Sequence, residues 1–192
     1  MNSEKSQYLS KVNIKKNKEC QKFMTTTRID NEYEEKRDIL SDTIEELYVD
    51  KRIKSMTIFP IMLRKLCVNV NIDIKFSALP VTLNEIRFGP KFDKEVKGLP
   101  KSVKKIEFGS GYNNKIDDLP DEIEEIRMNS YYFDKTVDKL PKGLRKIYFG
   151  YLFNQKIDKL PENLEELYLG YNFNMPIDNL PNNLKILRTG TK

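Results

Sequence analysis

The feature that most constrains this chain is the spacing of its prolines. Seven of the nine fall at Pro60, Pro80, Pro100, Pro120, Pro141, Pro161 and Pro181, at intervals of 20, 20, 20, 21, 20 and 20 residues. Leu precedes six of them and Phe59 precedes the first. A fixed period near 20 is the mark of a solenoid, whose units bury their apolar faces only by stacking on one another. An earlier unit has Leu40-Ser41 in the Leu-Pro register.

Within each unit apolar residues recur three and then two positions apart. The clearest copy, Leu164-Glu-Glu-Leu167-Tyr-Leu169-Gly-Tyr-Asn172, matches the leucine-rich pattern LxxLxLxxN at every position. Its counterparts include Leu144, Ile147 and Phe149; Ile123, Ile126 and Met128; and Val103, Ile106 and Phe108. The final two-residue step is that of a short strand with one buried face. These strands are expected to run parallel in one curved sheet, at registers 44–50, 64–69, 84–89, 104–109, 124–129, 145–150, 165–170 and 184–189. Phe92, Tyr112, Phe133, Phe153 and Phe173, each followed four residues later by Val96, Ile116, Val137, Ile157 or Ile177, should fill the interior. The return path is too short for a long helix, and Leu before Pro is driven to extended geometry. The fold class is therefore a leucine-rich-repeat solenoid of the horseshoe class, with irregular convex loops and little helix. Gly89, Gly109, Gly150, Gly170 and Gly190 follow the strands, with Asn69 and Asn129 in the same register, which suits a turn needing positive φ.

These motifs carry a resemblance. Phe173-Asn174-Met175-Pro176-Ile177 resembles the signature of the FNIP repeat, a leucine-rich-repeat variant of social amoebae and giant DNA viruses, and Phe153-Asn154-Gln155-Lys156-Ile157 is similar. Weaker copies begin at Phe92, Tyr112 and Phe133. The resemblance covers residues 40–192, and abundant Lys, Asn and Ile fit the AT-rich genome it implies. Family members often carry an F-box that links them to ubiquitin ligases. Residues 1–39 are too polar and short to supply one, so they are read as an N-terminal arm that caps the first repeat, with residues 1–8 disordered.

Composition narrows the chemistry. The chain has 192 residues and no His, which excludes Ser–His–Asp and Cys–His catalysis and His-containing zinc and haem sites. Cys20 and Cys67 cannot build a disulfide framework, pointing to a reducing, intracellular and cytoplasmic setting, the host cytoplasm if the chain is viral. The net charge of +5 is spread evenly, so the basic footprint of a nucleic-acid binder is missing. The N-terminus has no apolar core of signal-peptide length, and no run approaches the ~18 apolar residues of a membrane span. Neither secretion by that route nor a membrane partner is expected.

Two rows of side chains should line the concave face. One reads Glu46, Lys65, Glu85, Lys105, Glu125, Lys146, Glu166 and Ile186; the other reads Tyr48, Cys67, Arg87, Glu107, Arg127, Tyr148, Tyr168 and Arg188. With strands ~4.8 Å apart, opposite charges alternate. This checkerboard reads either as a binding groove or as a self-neutralising ladder that sets strand order, and the second is favoured because exposed pairs contribute only ~0.2–1 kcal/mol each. Carboxylates flanked by cations also make poor general acids. On the convex side, Asp117, Asp138, Asp158 and Asp178 read as turn caps rather than a calcium site, which takes about 6–8 oxygens. Asn113, Asn154 and Asn174 read as a buried ladder bonding loop backbone. Cys67 reads as a small half-buried residue rather than a reactive thiol.

No catalytic, metal or cofactor constellation is expected, and the chain reads as a non-catalytic protein-binding scaffold. The family alternative is substrate recognition for a ubiquitin ligase; a further one is assembly in a giant-virus particle. Tyr148, Tyr151, Tyr168 and Tyr171, with Arg188 beside them, form the candidate protein-binding surface, since Tyr and Arg dominate binding hot spots. Repeated Tyr could equally serve only to stack one unit on the next. Leu184 and Leu187 are expected to lie partly uncovered where no capping repeat follows, which suggests docking of a protein partner or a second copy.

Overall fold

The computed structural model describes residues 45–49, 55–56 and 59–190. The expected N-terminal arm, residues 1–39, and the unit beginning at Leu40 up to Ile44 lie outside the described residues.

Each turn of the chain starts at a proline. The carbonyls of Pro60, Pro80, Pro100, Pro120, Pro141, Pro161 and Pro181 accept the N–H of the residue three further on, at 3.0–3.2 Å. That bond closes a β-turn. Its last member is the first core residue of the unit: Leu63, Leu83, Val103, Ile123, Leu144, Leu164 or Leu184. The next amide reaches sideways to the preceding turn, as Lys104 N–H does to Asn84 O at 2.8 Å, and the chain enters the sheet.

The strands are β1 (Glu46–Val49), β2 (Ser55–Met56), β3 (Lys65–Val68), β4 (Asp73–Ile74), β5 (Glu85–Phe88), β6 (Lys105–Phe108), β7 (Glu125–Met128), β8 (Lys146–Tyr148), β9 (Glu166–Tyr168) and β10 (Ile186–Arg188). Eight of them form one sheet in the order β1-β3-β5-β6-β7-β8-β9-β10, every pair parallel. These eight strands fall inside the registers read from the repeat. A second ladder, β2 beside β4, was not legible in the period. Among the described residues the only helical segment is a 3-10 turn at Phe76–Ala78. The architecture is a parallel-strand solenoid of about seven turns with almost no helix.

The alternating side chains separate two environments. Leu66, Ile86, Ile106, Ile126, Ile147 and Leu167 are wholly buried and stack in one column, while their strand neighbours face outward. The convex loops supply the second half of the core. Phe92, Tyr112, Phe133 and Phe153 are also fully buried. The rings of Phe88 and Phe92 stack at 4.1 Å, Phe108 and Tyr112 meet at 4.2 Å, and Phe149 and Phe153 stack at 3.8 Å. The buried Tyr112 hydroxyl donates to Lys115 O at 3.0 Å. Ile177 departs from its expected inward place and is 39% exposed, because it belongs to the last described turn and nothing described packs over it.

The strand-exit glycines are needed for a different reason than the sequence suggested. Among the described residues the glycine with positive φ is Gly98, at 75°, and none of the strand-exit glycines shares that conformation. What those positions require is closeness. A Cβ on Gly170 would lie 1.8 Å from Gly150 O, and one on Gly150 would lie 1.7 Å from Ser130 O. Successive turns touch backbone to backbone at this corner, and a side chain would force them apart.

Candidate functional site

The charged rows form in the register the repeat implies. Glu46↔Lys65↔Glu85↔Lys105↔Glu125↔Lys146↔Glu166 are lateral neighbours, and so are Arg87↔Glu107↔Arg127↔Tyr148↔Tyr168↔Arg188. Lys65 meets Glu46 at 3.3 Å, Arg87 meets both Glu85 and Glu107, and Lys146 meets Glu166 at 2.7 Å. Glu125 takes Arg127 on its own strand and Lys105 at 3.4 Å on the next. Burial alone would raise the Glu125 pKa, but the bonds from Arg127 and Lys105 together hold it below the usual carboxylate value. The Lys146 bond, working against some burial, likewise holds Glu166 low. Carboxylates kept ionised in this way cannot serve as general acids at neutral pH.

A third row runs along the strand-entry edge. There Lys104 pairs with Glu124 at 3.2 Å, and Glu165 accepts from Arg145 and from Lys185 at 2.9 Å. A shallow cleft of about 510 Å³ opens between these residues and Glu122, Asn163 and Asn183. Bonds from Lys185 and Arg145 hold the Glu165 carboxyl low. The cleft is walled by charges already paired with each other.

The five sequence candidates divide between two surfaces. Tyr148 and Tyr168 lie on the open face of the sheet, stacked at 4.2 Å with 15° between ring planes. Arg127 covers the outer face of Tyr148 at 4.2 Å, and Arg188 lies over Tyr168 at 5.6 Å. Both hydroxyls turn to one carboxylate: Tyr168 donates to Glu166 at 3.2 Å and Tyr148 at 3.4 Å. Their ring faces and hydroxyls are therefore largely committed within the sheet. Burial, opposed by Arg127 and aided by Glu166, raises the Tyr148 pKa.

Tyr151 and Tyr171 belong elsewhere, to the corner where strands leave the sheet. They stack at 5.2 Å, and Tyr131 extends the stack at 5.0 Å, with planes within 10° in both pairs. Tyr132 sits edge-on to Tyr131 at 5.1 Å. Tyr131, Tyr132, Tyr151 and Tyr171 are 47%, 61%, 42% and 41% exposed, and among the described residues no side chain or carbonyl bonds their hydroxyls. The sequence reading missed Tyr131 and Tyr132. The signal that could have found them is the 21-residue interval between Pro120 and Pro141. Its extra residue is absorbed between Met128 and Phe133, where Ser130 is fully buried. The Ser130 hydroxyl donates to Tyr112 O at 2.6 Å and accepts from the amides of Phe133 at 3.1 Å and Tyr132 at 3.2 Å. It substitutes for a missing turn bond and pushes Tyr131 and Tyr132 outward.

The convex polar residues also differ from expectation. The Asn/Asp position of each unit forms a ladder, each side chain accepting the backbone amide of the next: Asn113 to Asp93 at 2.8 Å, Asn154 to Asp134 at 2.8 Å and Asn174 to Asn154 at 2.9 Å. The ladder is half-exposed rather than buried, and aspartates share it. It breaks at the 21-residue unit, where the buried Asn113 Oδ1 has no partner. The turn caps expected of Asp117, Asp138, Asp158 and Asp178 are not found among the described residues; Asp138 instead faces Lys159 at 3.6 Å. Among the described residues no group of three or more acidic or sulfur side chains is placed to hold a metal ion.

Cys67, in the second row of the open face, is buried and disulfide-bonded, its partner lying outside the described residues. The structure thus differs from the sequence reading in one respect, the side chain being buried rather than half-buried, and it agrees that Cys67 is not a reactive thiol. Among the described residues no helix is long and apolar enough to cross a membrane.

The FNIP repeat model matches residues 70–111, 92–131 and 153–192, more than half of the chain. The chain belongs to the FNIP-repeat family. The internal unmatched stretch, 132–152, begins where the FNIP repeats here take in their extra residue. Among solved structures this FNIP-repeat chain is similar to CroV588 of a giant virus, described as a novel circular leucine-rich-repeat protein structure. The identity is 26% and the TM-score 0.53, over 72% of this chain and 25% of that one, so the chain spans about a quarter of that protein's length. No curated protein matches the chain. The FNIP and leucine-rich-repeat folds are typically non-catalytic and suit protein interaction.

Proposed function

We propose that this FNIP-repeat protein is a non-catalytic scaffold that engages a protein partner through its tyrosine-rich C-terminal repeats. The observation carrying the reading is the exposed stack of Tyr131, Tyr151 and Tyr171 with Tyr132 beside it. Tyrosine buries a large area for the loss of only two torsions and keeps a polar tip, which favours it at binding hot spots. Here the rings are held in place by the solenoid before any partner arrives, so little entropy is lost on contact. On the open face of the sheet, the stacked Tyr148 and Tyr168 with Arg188 over Tyr168 make a second aromatic surface on the same repeats. Charges do not carry the reading, because nearly every carboxylate near the site is already paired within the sheet.

The test replaces Tyr151 with a photo-crosslinking phenylalanine analogue in the full chain, expressed in its native cell. The expected result is one dominant crosslinked protein, lost when Tyr171→Ala and Tyr131→Ala are added while the melting transition is kept. Unchanged crosslinking in that variant would overturn the reading. Ubiquitin-ligase recognition and assembly in a virus particle would use the same strip, and the crosslinked species tells them apart.

A further inference from the structure

We propose that the partner of the tyrosine strip is a second copy of this chain, lying alongside the first and turned end for end. This rests on the reading of the strip as a protein contact. Three properties point to self-pairing. The first is periodicity. The rings are 5.0 and 5.2 Å apart because the strands that carry them are one sheet spacing apart. A partner that fits at every rung must repeat at the same interval, and a second copy does. With the two-fold axis through Tyr151, that residue meets its own equivalent, and Tyr131 faces Tyr171 of the partner.

The second property is neutrality. The chain is 33% charged with a net +5, yet the strand-exit segments Asn129–Phe133, Phe149–Gln155 and Leu169–Pro176 contain no charged residue. An isologous contact sets the strip against its own copy, so a strip of one charge sign would repel itself, and this uncharged one does not. The third property is the hydroxyls. A phenol both donates and accepts, so two rows of unpaired phenols satisfy each other without any other chemistry. Tyr132, edge-on at one end of the stack, would close over the partner beyond its Tyr171.

Size sets the strength. Four tyrosines exposed to this degree offer roughly 400 Å² per copy, about half of the ~800 Å² per partner of a standard interface. The dimer is therefore weak and exchanges rapidly.

Sedimentation equilibrium of the full chain from micromolar to millimolar concentration tests this. The mass should rise from 22.7 kDa toward twice that value. Tyr151→Arg sets two like charges on the axis at an exposed site and should weaken association about tenfold or more, as loss of a central hot spot does. Val81→Arg, at a remote position that is 82% exposed, should leave the curve unchanged. Both variants must melt as the wild type does; if Tyr151→Arg does not, Tyr151→Ser is read instead. A wild type that stays monomeric overturns the proposal and leaves the strip to a different protein, which the crosslinking experiment detects. A dimer that survives Tyr151→Arg, or that Leu187→Glu on β10 dissociates instead, overturns it as well.

Discussion

The hydroxyl of Ser130 donates to the carbonyl of Tyr112 at 2.6 Å, across two successive turns of the solenoid. This bond holds the one unit that is a residue too long. The same oxygen accepts two amides, so one small side chain stands in for the turn bond that the longer unit lacks. Ser130→Ala should cost about 1–3 kcal/mol, because it strands buried donors and an acceptor. Urea denaturation measures it, and a midpoint equal to the wild type's would show the hydroxyl to be dispensable.

Gly170 and Gly98 separate two reasons for needing glycine. Gly170→Ala puts a methyl 1.8 Å from Gly150 O and should cost ~3 kcal/mol or more, the upper end of overpacking. Gly98→Ala meets open space but keeps a φ of 75°, a penalty of about 1–2 kcal/mol. Thermal melts of the two variants should rank in that order; the reverse order would remove close approach as the reason for the strand-exit glycines.

Leu167 is wholly buried in the central column of the sheet. Leu167→Ala should cost ~2–5 kcal/mol, since neighbouring turns are tied laterally and cannot collapse into the space. Leu167→Met, close in volume, should cost less than ~1.5 kcal/mol. Equal losses in chemical denaturation would mean that something other than a cavity governs this site.

Acid should weaken the fold over a defined window. Glu125, Glu165 and Glu166 are all held below the ordinary value of 4.5 in the folded chain. Their contribution is complete above that value and is lost as pH falls through the lowered folded ones. Stability from this source is thus flat from neutral pH to about pH 5 and declines below pH 4.5. A decline centred near neutrality would contradict the assignment.

Position within the ladder decides the worth of a carboxylate. Glu125→Gln should cost about 1–2 kcal/mol at pH 7, as its side chain is 19% exposed between two cations. Glu45→Gln, 60% exposed and 3.9 Å from Arg64, should change stability by less than ~0.5 kcal/mol. Similar losses in the two variants would show that burial does not set the scale.

The proline period and the apolar spacing were sufficient to place the strands, the buried column from Leu66 to Leu167, and the lateral order of both charged rows. In a solenoid a residue's neighbours along the axis are those one period away, so a count along the chain is already a contact list. The same count reported that Tyr148 and Tyr168 would be adjacent. It could not report that their hydroxyls share Glu166, nor that Arg127 covers one ring, because side-chain direction depends on distances finer than one strand spacing.

Three features needed the folded chain. The strand-exit glycines were read as turn conformations, but the close approach of Gly150 and Gly170 is a distance between turns that no local sequence encodes. The interval of 21 residues announced an insertion without saying where it would be absorbed. Only packing against Phe133 and Tyr112 put the extra residue at Ser130, breaking the convex ladder at Asn113 and turning Tyr131 and Tyr132 outward. That Cys67 is bonded is likewise not something the period announces. A repeating sequence determines what recurs, because recurrence is its own contact map. Where the repeat is interrupted, position is decided by which backbone groups can still be satisfied in three dimensions, and that interruption adds Tyr131 and Tyr132 to the strip that Tyr151 and Tyr171 carry in register.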